Sequence, residues 1–201
     1  MTGDAAPRRR RRRPEEARGE ILAAARALLA ERPAHEVTVG AIMAATSLSR
    51  KSFYVYFTDR FDLLTQLVDP LREERDAIVE RLLAQDDAAA GGREALLALA
   101  RLYAEHGVVL RALAEASGQD EEARRAWRGF VEPVVAGHAD WIRREVARGR
   151  VRGVDPEPTA RALIGMNLQY FFDTLVGVEA PDVEGAAETL LVVWSRALYA
   201  A

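Results

Sequence analysis

Residues 38–64 contain two short helical patterns separated by a polar turn, followed by an aromatic cluster and the start of a longer helix. Thr38 and Ser49 are residue types that cap helix N-termini, and each precedes one of the short patterns. Phe53 and Phe57 are four residues apart, so they share the face that holds the second helix down. Two short helices packed at an angle, the second with a polar outer face, are what a helix-turn-helix needs to enter a major groove. The segment predicts a DNA-binding unit.

The order T-V-x-x-I, a turn, S-x-x-S-F-Y-x-Y-F and D-R-F-x-L-L resembles the N-terminal domain of TetR-family transcriptional regulators. Two departures stand out: Ser47 occupies the turn position where the family usually has Gly, and Thr58-Asp59-Arg60 replaces Ser-Lys-Glu. Ser47 must therefore avoid a positive φ or tolerate it at some cost. The resemblance implies an all-α protein with a three-helix DNA-binding head and a helical body that binds a ligand and dimerises.

The recognition helix can bring only three or four side chains to base edges, and its first turn enters the groove deepest. Arg50, Ser52 and Tyr54 are therefore expected to face the groove, while Ser49 starts the helix and completes the predicted DNA-binding set. Phosphate contacts fix the register without carrying sequence information. The side chains expected mainly on phosphates are Thr38, Lys51, Tyr56 and Arg60.

Charge is distributed unevenly along the chain. Residues 1–65 hold 12 Lys and Arg against 8 Asp and Glu, a balance of +4, whereas the remainder holds 16 against 23, a balance of −7. Because phosphate contacts dominate attraction to DNA, a basic head is the expected partition. The six arginines Arg8–Arg13 are either a solvated tail or an arm that adds non-specific affinity or reaches the minor groove.

Three segments are predicted: a disordered basic arm at residues 1–14, a helix-turn-helix domain at 15–60, and a ligand-binding and dimerisation domain at 61–201. Apolar residues at helical spacing predict about nine helices, three in the head, one connecting and five in the body. Glycines, prolines and paired acids supply the expected breaks or kinks. These positions are Pro70, Asp86-Asp87, Gly91-Gly92, Gly107, Ser117-Gly118, Gly149 and the 151–158 connector.

Composition excludes several classes of protein. The chain has no Cys, so disulfides and thiolate metal sites are excluded and a reducing cytoplasm is the expected location. No apolar run reaches the roughly 18 to 20 residues that a membrane span needs. His35, His106 and His138 lie on separate segments without ligand spacing, so no metal site is expected. No phosphate loop or nucleophile motif is present, so neither a cofactor nor catalysis is predicted.

A second, narrower resemblance, to a ligand-responsive branch of the same family, rests on Trp127-x-x-Phe130, on Ala162-Leu163-x-x-Met166-Asn167 and on Phe171-Phe172. It implies an elongated apolar channel for a small-molecule effector, with an Asn amide as polar anchor. Val134 stands where the protein of that branch that the chain resembles has Trp, and His138 stands where that protein has Thr. The residues predicted to line the channel are Leu99, Tyr103, Trp127, Phe130, Val134, His138, Leu163, Met166, Asn167, Tyr170 and Phe171.

The residues alone leave that assignment open. Aromatic side chains on the helices of an all-α body belong more often to its core than to a ligand site. Asn167 has apolar sequence neighbours, and a buried amide needs partners for its donors and acceptor. A ligand, a water molecule or a neighbouring backbone carbonyl would each meet that need.

The last two predicted helices are too apolar for a fully solvated surface. Another helix of the body or a second subunit must cover them, and the family resemblance implies a two-fold homodimer through a four-helix bundle. The predicted dimer residues are Leu175, Leu190, Val193, Trp194, Ala197 and Leu198.

The sequence therefore favours a homodimeric transcriptional regulator, a repressor that leaves its double-stranded DNA operator when an apolar small molecule binds. Two alternatives remain open at this point. One is a helical small-molecule-binding protein or enzyme whose head serves protein contacts, and the other is an architectural DNA binder without an effector. A ligand-sized pocket in the body would argue against the architectural binder.

Overall fold

The computed structural model describes residues 14–84 and 88–199, with side chains described from residue 91 onward in the second range. Within these ranges all regular structure is helical, which confirms the predicted all-α class. The predicted arm Arg8–Arg13 and the Asp86-Asp87 break lie outside the described residues. The elements are α1 Pro14–Glu31, a 3-10 turn Ala34–Glu36, α2 Val39–Ala44, α3 Arg50–Tyr56, α4 Arg60–Leu83, α5 Ala88–Ala116, α6 Glu121–Ala147, α7 Pro156–Thr174 and α8 Val183–Tyr199.

Side-chain caps define where several helices begin. Thr38 Oγ1 accepts a hydrogen bond from the Ala41 amide at 3.1 Å, which starts α2 as predicted. Asp59 Oδ1 accepts from the Phe61 and Asp62 amides and starts α4. Ser49 occupies the N-cap position of α3, but its hydroxyl lies 3.0 Å from the Ser52 hydroxyl and makes no cap bond.

The described ranges contain eight α-helices, so the prediction of about nine was one too many. The predicted break at Gly107 is wrong, because this glycine lies inside the continuous helix α5. A Cβ at Gly107 would collide with Val176 Cγ2, so the glycine serves close packing and not a turn. Gly91-Gly92 is also helical, and α4 and α6 continue through Pro70 and Pro133.

One apolar core connects the head to the body. Ile21, Phe53 and Phe57 of the head belong to the same cluster of buried side chains as Leu110 and Phe171 of the body. A second cluster lies farther from the head, among α6, α7 and the end of α8. Because α4 contributes to both clusters, it connects the recognition unit to the far end of the body.

Candidate DNA-binding surface and ligand cavities

The recognition helix α3 is held by aromatic packing beneath it. Phe53 and Phe57 are almost completely buried, with ring centroids 5.3 Å apart. Glu20 Oε1 accepts hydrogen bonds from the Ser47 amide at 2.7 Å and the Ser47 hydroxyl at 2.8 Å, which secures the turn to α1. Ala180 is the one non-glycine residue with positive φ in the described ranges. The Ser-for-Gly departure at position 47 therefore carries no backbone strain.

The outer face of α3 carries side chains that reach solvent. Arg50 and Lys51 are exposed and form no ion pair with any described residue. Tyr54 is 58% exposed, whereas Ser52 and Tyr56 are half-buried. Sequence reasoning missed Val55, which is 73% exposed on the same helix. Helical spacing could have predicted this exposure, because Val55 lies two residues after the buried Phe53 and therefore on the opposite face of α3.

Besides Ser49 at the N-cap, two further predicted DNA contacts flank α3. Thr38 is exposed, and its hydroxyl oxygen caps α2 while its hydrogen stays free to donate. Arg60 is half-buried at the start of α4, with its guanidinium carbon 4.7 Å from the ring centroid of Phe61. The eight side chains predicted for DNA thus belong to α3, its N-cap and the two adjoining helix starts.

The body holds two adjoining cavities between α4, α5, α6, α7 and α8. The first, the Arg75 cavity, has a volume of about 40 Å³, and its lining residues are Arg75, Val79, Leu99, Tyr103, Phe130, Val131, Val134, Ile164, Asn167, Leu168 and Phe171. The second, the Trp194 cavity, has a volume of about 110 Å³, and its lining residues are Leu82, Gly92, Ala95, Leu96, Leu99, Val134, His138, Trp141, Ile164, Asn167, Leu191, Trp194, Ser195, Leu198 and Tyr199. Leu99, Val134, Ile164 and Asn167 line both.

Asn167 lies on the boundary between the two cavities. The indole Nε1 of Trp194 donates a hydrogen bond to Asn167 Oδ1 at 2.9 Å. The amide therefore bonds a side chain on α8. It does not bond a neighbouring backbone carbonyl, which was one of the partners considered from the sequence. This bond also fixes the amide orientation, because an indole nitrogen can only donate.

His138 is a buried, neutral group on the Trp194 cavity. Burial lowers the pKa of His138, an effect partly opposed by its hydrogen bond to the Val134 carbonyl. Its Nδ1 lies 2.8 Å from that carbonyl oxygen, which can only accept. In the neutral ring Nδ1 therefore carries the proton, and Nε2 remains as an acceptor.

Arg75 is a buried charged residue at a cavity that the sequence did not predict. It lies in the charged run REERD, which is typical of a solvated face, yet its side chain is 4% exposed. Its Nη1 donates to the Phe130 carbonyl, its Nε donates to Asp76 Oδ1 at 3.0 Å, and its guanidinium carbon lies 4.2 Å from the Phe130 ring centroid. The available signal was helical spacing, since Arg75 lies midway between buried Leu71 and Val79.

Tyr103 lies across the Arg75 cavity from α4. Its ring centroid is 5.1 Å from that of Phe171, and the side chain is buried. Burial raises the pKa of Tyr103 well above its usual value, although the nearby Arg75 cation acts in the opposite direction. The hydroxyl therefore keeps its proton at every physiological pH.

Four of the eleven residues predicted for the channel line neither cavity. Trp127 stacks on Phe130 with ring centroids 5.7 Å apart and is absent from the lining of both cavities. Leu163 belongs to the second core cluster, and Met166 and Tyr170 pack as half-buried side chains against the core. For these four, the core alternative describes the structure better than the ligand assignment.

The predicted dimer residues separate into two groups. Leu175, Leu190 and Leu198 are buried within the subunit, so their side chains contribute to its own core. Val193 and Ala197 are exposed on α8. Trp194 is half-buried and directed to Asn167.

None of the helices in the described part of the chain combines the length and the apolar character needed to cross a bilayer.

An α3 anchored from below, with a basic and aromatic outer face, together with internal cavities in an all-helical body, defines a DNA-binding transcriptional regulator. Residues 21–67 match the family described as bacterial regulatory proteins, tetR family. Residues 92–200, more than half of the chain, match the family described as transcriptional regulator EthR, C-terminal domain. The chain belongs to the TetR family of transcriptional regulators, with a body of the EthR type.

Individual relatives agree with this assignment. The HTH-type transcriptional regulator EthR of Mycobacterium tuberculosis is 29% identical over 185 residues, covering 89% of this chain and 85% of that protein. EthR of Mycolicibacterium smegmatis is 28% identical over 200 residues, covering 95% and 91%.

Solved structures share the fold. NalD, described as the secondary repressor of the MexAB-OprM multidrug efflux pump in Pseudomonas aeruginosa, superposes with a TM-score of 0.71 at 24% identity, covering 92% of this chain and 96% of NalD. SmeT, described as the repressor of the Stenotrophomonas maltophilia multidrug efflux pump SmeDEF, superposes with a TM-score of 0.68 at 20% identity, covering 90% and 89%. At these identities the likeness concerns the fold.

Proposed function

We propose that this chain is a homodimeric repressor that binds an operator through its two heads and leaves the DNA when a small molecule fills the body cavities. The observation that carries the proposal is that α4 lines the cavities and also continues into the head. Arg75 and Val79 of α4 face the Arg75 cavity, while Asp59 and Arg60 start the same helix beside α3. A ligand in the body therefore touches the element that positions the recognition unit.

The proposed DNA contacts follow from which side chains reach solvent. Arg50, Ser52 and Tyr54 face the bases, since they lie in the first two turns of α3. Contacts from the remaining predicted side chains go mainly to phosphates, where they set the register without reading sequence. These phosphate contacts are Thr38, Lys51, Tyr56 and Arg60, with Ser49 at the start of the helix.

The proposed dimer uses the outward faces of α7 and α8. Val192 and Val193 are exposed apolar side chains on α8, and Ala197 lies one turn farther on. On α7, Ala162 and Gly165 are exposed and small enough for close approach of a partner helix. Two-fold pairing would place the heads on half-sites about 34 to 36 Å apart, or a multiple of that spacing.

Ligand response requires two conformations of the dimer that differ in head spacing and bind the ligand with different affinity. A ligand can shift the equilibrium only by that difference, and coupling energies of this kind are typically about 1 to 3 kcal/mol. Side chains from five helices meet at the cavities, so added volume there must displace α4 or α8 relative to the other helices. A cytoplasmic location, where the chromosome lies, follows from this function.

The test fills the cavities with a side chain. Val134 lines both cavities, so Val134→Trp should imitate a bound ligand and weaken DNA affinity about 5- to 150-fold, the range set by the coupling energy. The matched control is Val146→Trp, the same substitution at an exposed position of the same helix. Binding is measured by fluorescence anisotropy on the duplex upstream of the chain's own gene, with excess non-specific DNA as competitor.

Circular dichroism tests whether both variants fold, and analytical sedimentation tests whether they dimerise. A folded Val134→Trp dimer that binds the duplex as tightly as the wild-type protein would contradict the coupling. Failure of the wild-type protein to prefer this duplex over non-specific DNA would instead contradict regulation of its own promoter.

A further inference from the structure

We propose that the effector carries a carboxylate head group, which binds Arg75, Tyr103 and Asn167 in the Arg75 cavity while its apolar tail occupies the Trp194 cavity. This rests on the proposed function insofar as the bound molecule is called an effector. The binding site itself stands on the hydrogen-bonding groups that surround the cavity.

Arg75 supplies unused donors to a buried space. A guanidinium group has five N–H bonds and no acceptor. Nε and Nη2 each donate to Asp76, and Nη1 donates once to the Phe130 carbonyl, which leaves two N–H bonds without a partner in the described residues. Arg75 also stays positively charged, because its guanidinium cannot lose a proton in a protein.

Tyr103 supplies a second donor. Its hydroxyl makes no hydrogen bond to any described residue, although the side chain is buried and lines the same cavity. The raised pKa of Tyr103 keeps the proton on the hydroxyl. A tyrosine hydroxyl that borders a cavity and has no partner among the described residues is free to donate to a molecule bound there.

Asn167 supplies the third set of donors. Its Oδ1 already accepts from Trp194 Nε1, so the opposite side of the amide presents the NH₂ group. This group has two N–H bonds and no partner among the described residues, and Asn167 lines both cavities. The Trp194 bond thus turns an amide that can donate or accept into one that mainly donates.

Donors therefore outnumber free acceptors around the Arg75 cavity. A water molecule would bring two further donors, whereas a carboxylate brings two oxygens that only accept. Asp76 offsets part of the Arg75 charge through their ion pair, but the Asp76 side chain is 46% exposed, so solvent screens its charge more than that of the buried guanidinium. An Arg–carboxylate hydrogen bond is also stronger than one between neutral groups.

The tail of the ligand would lie in the larger Trp194 cavity. Leu99, Val134, Ile164 and Asn167 line both cavities, so the two spaces adjoin at these side chains. Leu96, Leu198 and other apolar side chains dominate the lining there, which suits an alkyl or aromatic tail. The predicted ligand class is an amphiphile with an anionic end.

The first experiment compares three probes of similar length by calorimetry on the wild-type chain without DNA: octanoate, nonan-2-one and octan-1-ol. Nonan-2-one offers a neutral acceptor, and octan-1-ol brings a donor. We expect octanoate to bind at least tenfold more tightly than nonan-2-one, and octan-1-ol to bind most weakly. Equal or tighter binding of nonan-2-one or octan-1-ol, or no binding of any probe, would overturn the proposal.

The second experiment removes the donors one at a time. Arg75→Met should reduce octanoate affinity at least tenfold and leave octan-1-ol unchanged, and Tyr103→Phe should reduce octanoate affinity by a smaller factor. Arg72→Met is the matched control, because Arg72 lies on the same helix but lines neither cavity. An equal loss for all three probes in Arg75→Met would show a structural role only and overturn the proposal.

Should Arg75→Met not fold, Tyr103→Phe and the wild-type probe ranking decide the outcome. The readout is independent of DNA binding. A carboxylate preference in a chain that binds no DNA would leave this proposal standing and overturn the proposed function. Release from DNA by nonan-2-one without any carboxylate preference would support the proposed function and overturn the carboxylate proposal.

Discussion

The recognition helix and the body cavities differ in how their functional groups relate to the fold. On α3 the buried residues Phe53 and Phe57 fix the position of the helix, and the exposed residues Arg50 and Tyr54 are the proposed contacts to DNA. In the body the same side chains hold the helices together and line the proposed ligand site. Asn167, for example, bonds Trp194 across the core and also lines the cavities. Substitutions should therefore separate stability from binding in the head and couple them in the body.

The largest expected effect separates the two faces of α3. Phe53→Ala removes a fully buried ring and should lower the free energy of unfolding by about 3 to 5 kcal/mol. Val55→Ala, on the exposed face of the same helix, should change it by no more than about 0.5 kcal/mol. Urea unfolding of both variants measures the contrast. A similar loss for both would mean that the two faces of α3 are not separated as described.

A smaller effect is expected from the bond that joins structure and cavity in the body. Trp194→Phe leaves Asn167 Oδ1 without its donor, and it should cost about 1 to 3 kcal/mol more than Trp127→Phe. Trp127 is the matched control, since its indole stacks on Phe130 and makes no hydrogen bond to a described residue. Equal losses in thermal unfolding would mean that the Asn167 bond contributes nothing to stability.

The smallest expected effect concerns pH. The pKa of His138 is lowered in the folded state, so below the unfolded value of 6.5 the unfolded chain binds more protons than the folded chain. Stability should therefore fall as the pH drops below about 6.5, by at most about 1.4 kcal/mol per pH unit from this group. Denaturant titrations of the wild-type protein and His138→Gln from pH 7.5 to 5.5 measure the difference. The advantage of the wild-type protein over His138→Gln should shrink towards low pH, with the surface substitution His35→Gln as control. A constant difference across this range would contradict the buried neutral histidine.

Sequence patterns predicted the head better than the body for a physical reason. The helical spacing of Phe53 and Phe57 and the cap at Thr38 are local, and the structure has both as expected. Burial of Arg75 depends on Phe130, 55 residues away, and no local pattern distinguishes this arginine from a solvated one. Gly107 illustrates the same limit, because the close approach of Val176 and not a turn requires the glycine.

The last two helices show what an apolar pattern in the sequence leaves open. Their apolar character did require covering, but Leu190 and Leu198 are covered by their own subunit. An apolar count along α8 cannot tell which side meets α5 and which side stays exposed. Val193 is among the predicted dimer residues, whereas its exposed neighbour Val192 became apparent only from the packed structure.

Filling the body cavities should change the separation of the two heads. Because the chain has no Cys, a single Ala45→Cys substitution at an exposed position after α2 permits one spin label on each subunit. Pulsed electron–electron double resonance then measures the distance between the two labels in Val134→Trp and Val146→Trp dimers. We expect a changed distance in Val134→Trp, together with its loss of DNA affinity, and no change in Val146→Trp. An unchanged distance in a Val134→Trp dimer that has lost DNA affinity would contradict this expectation.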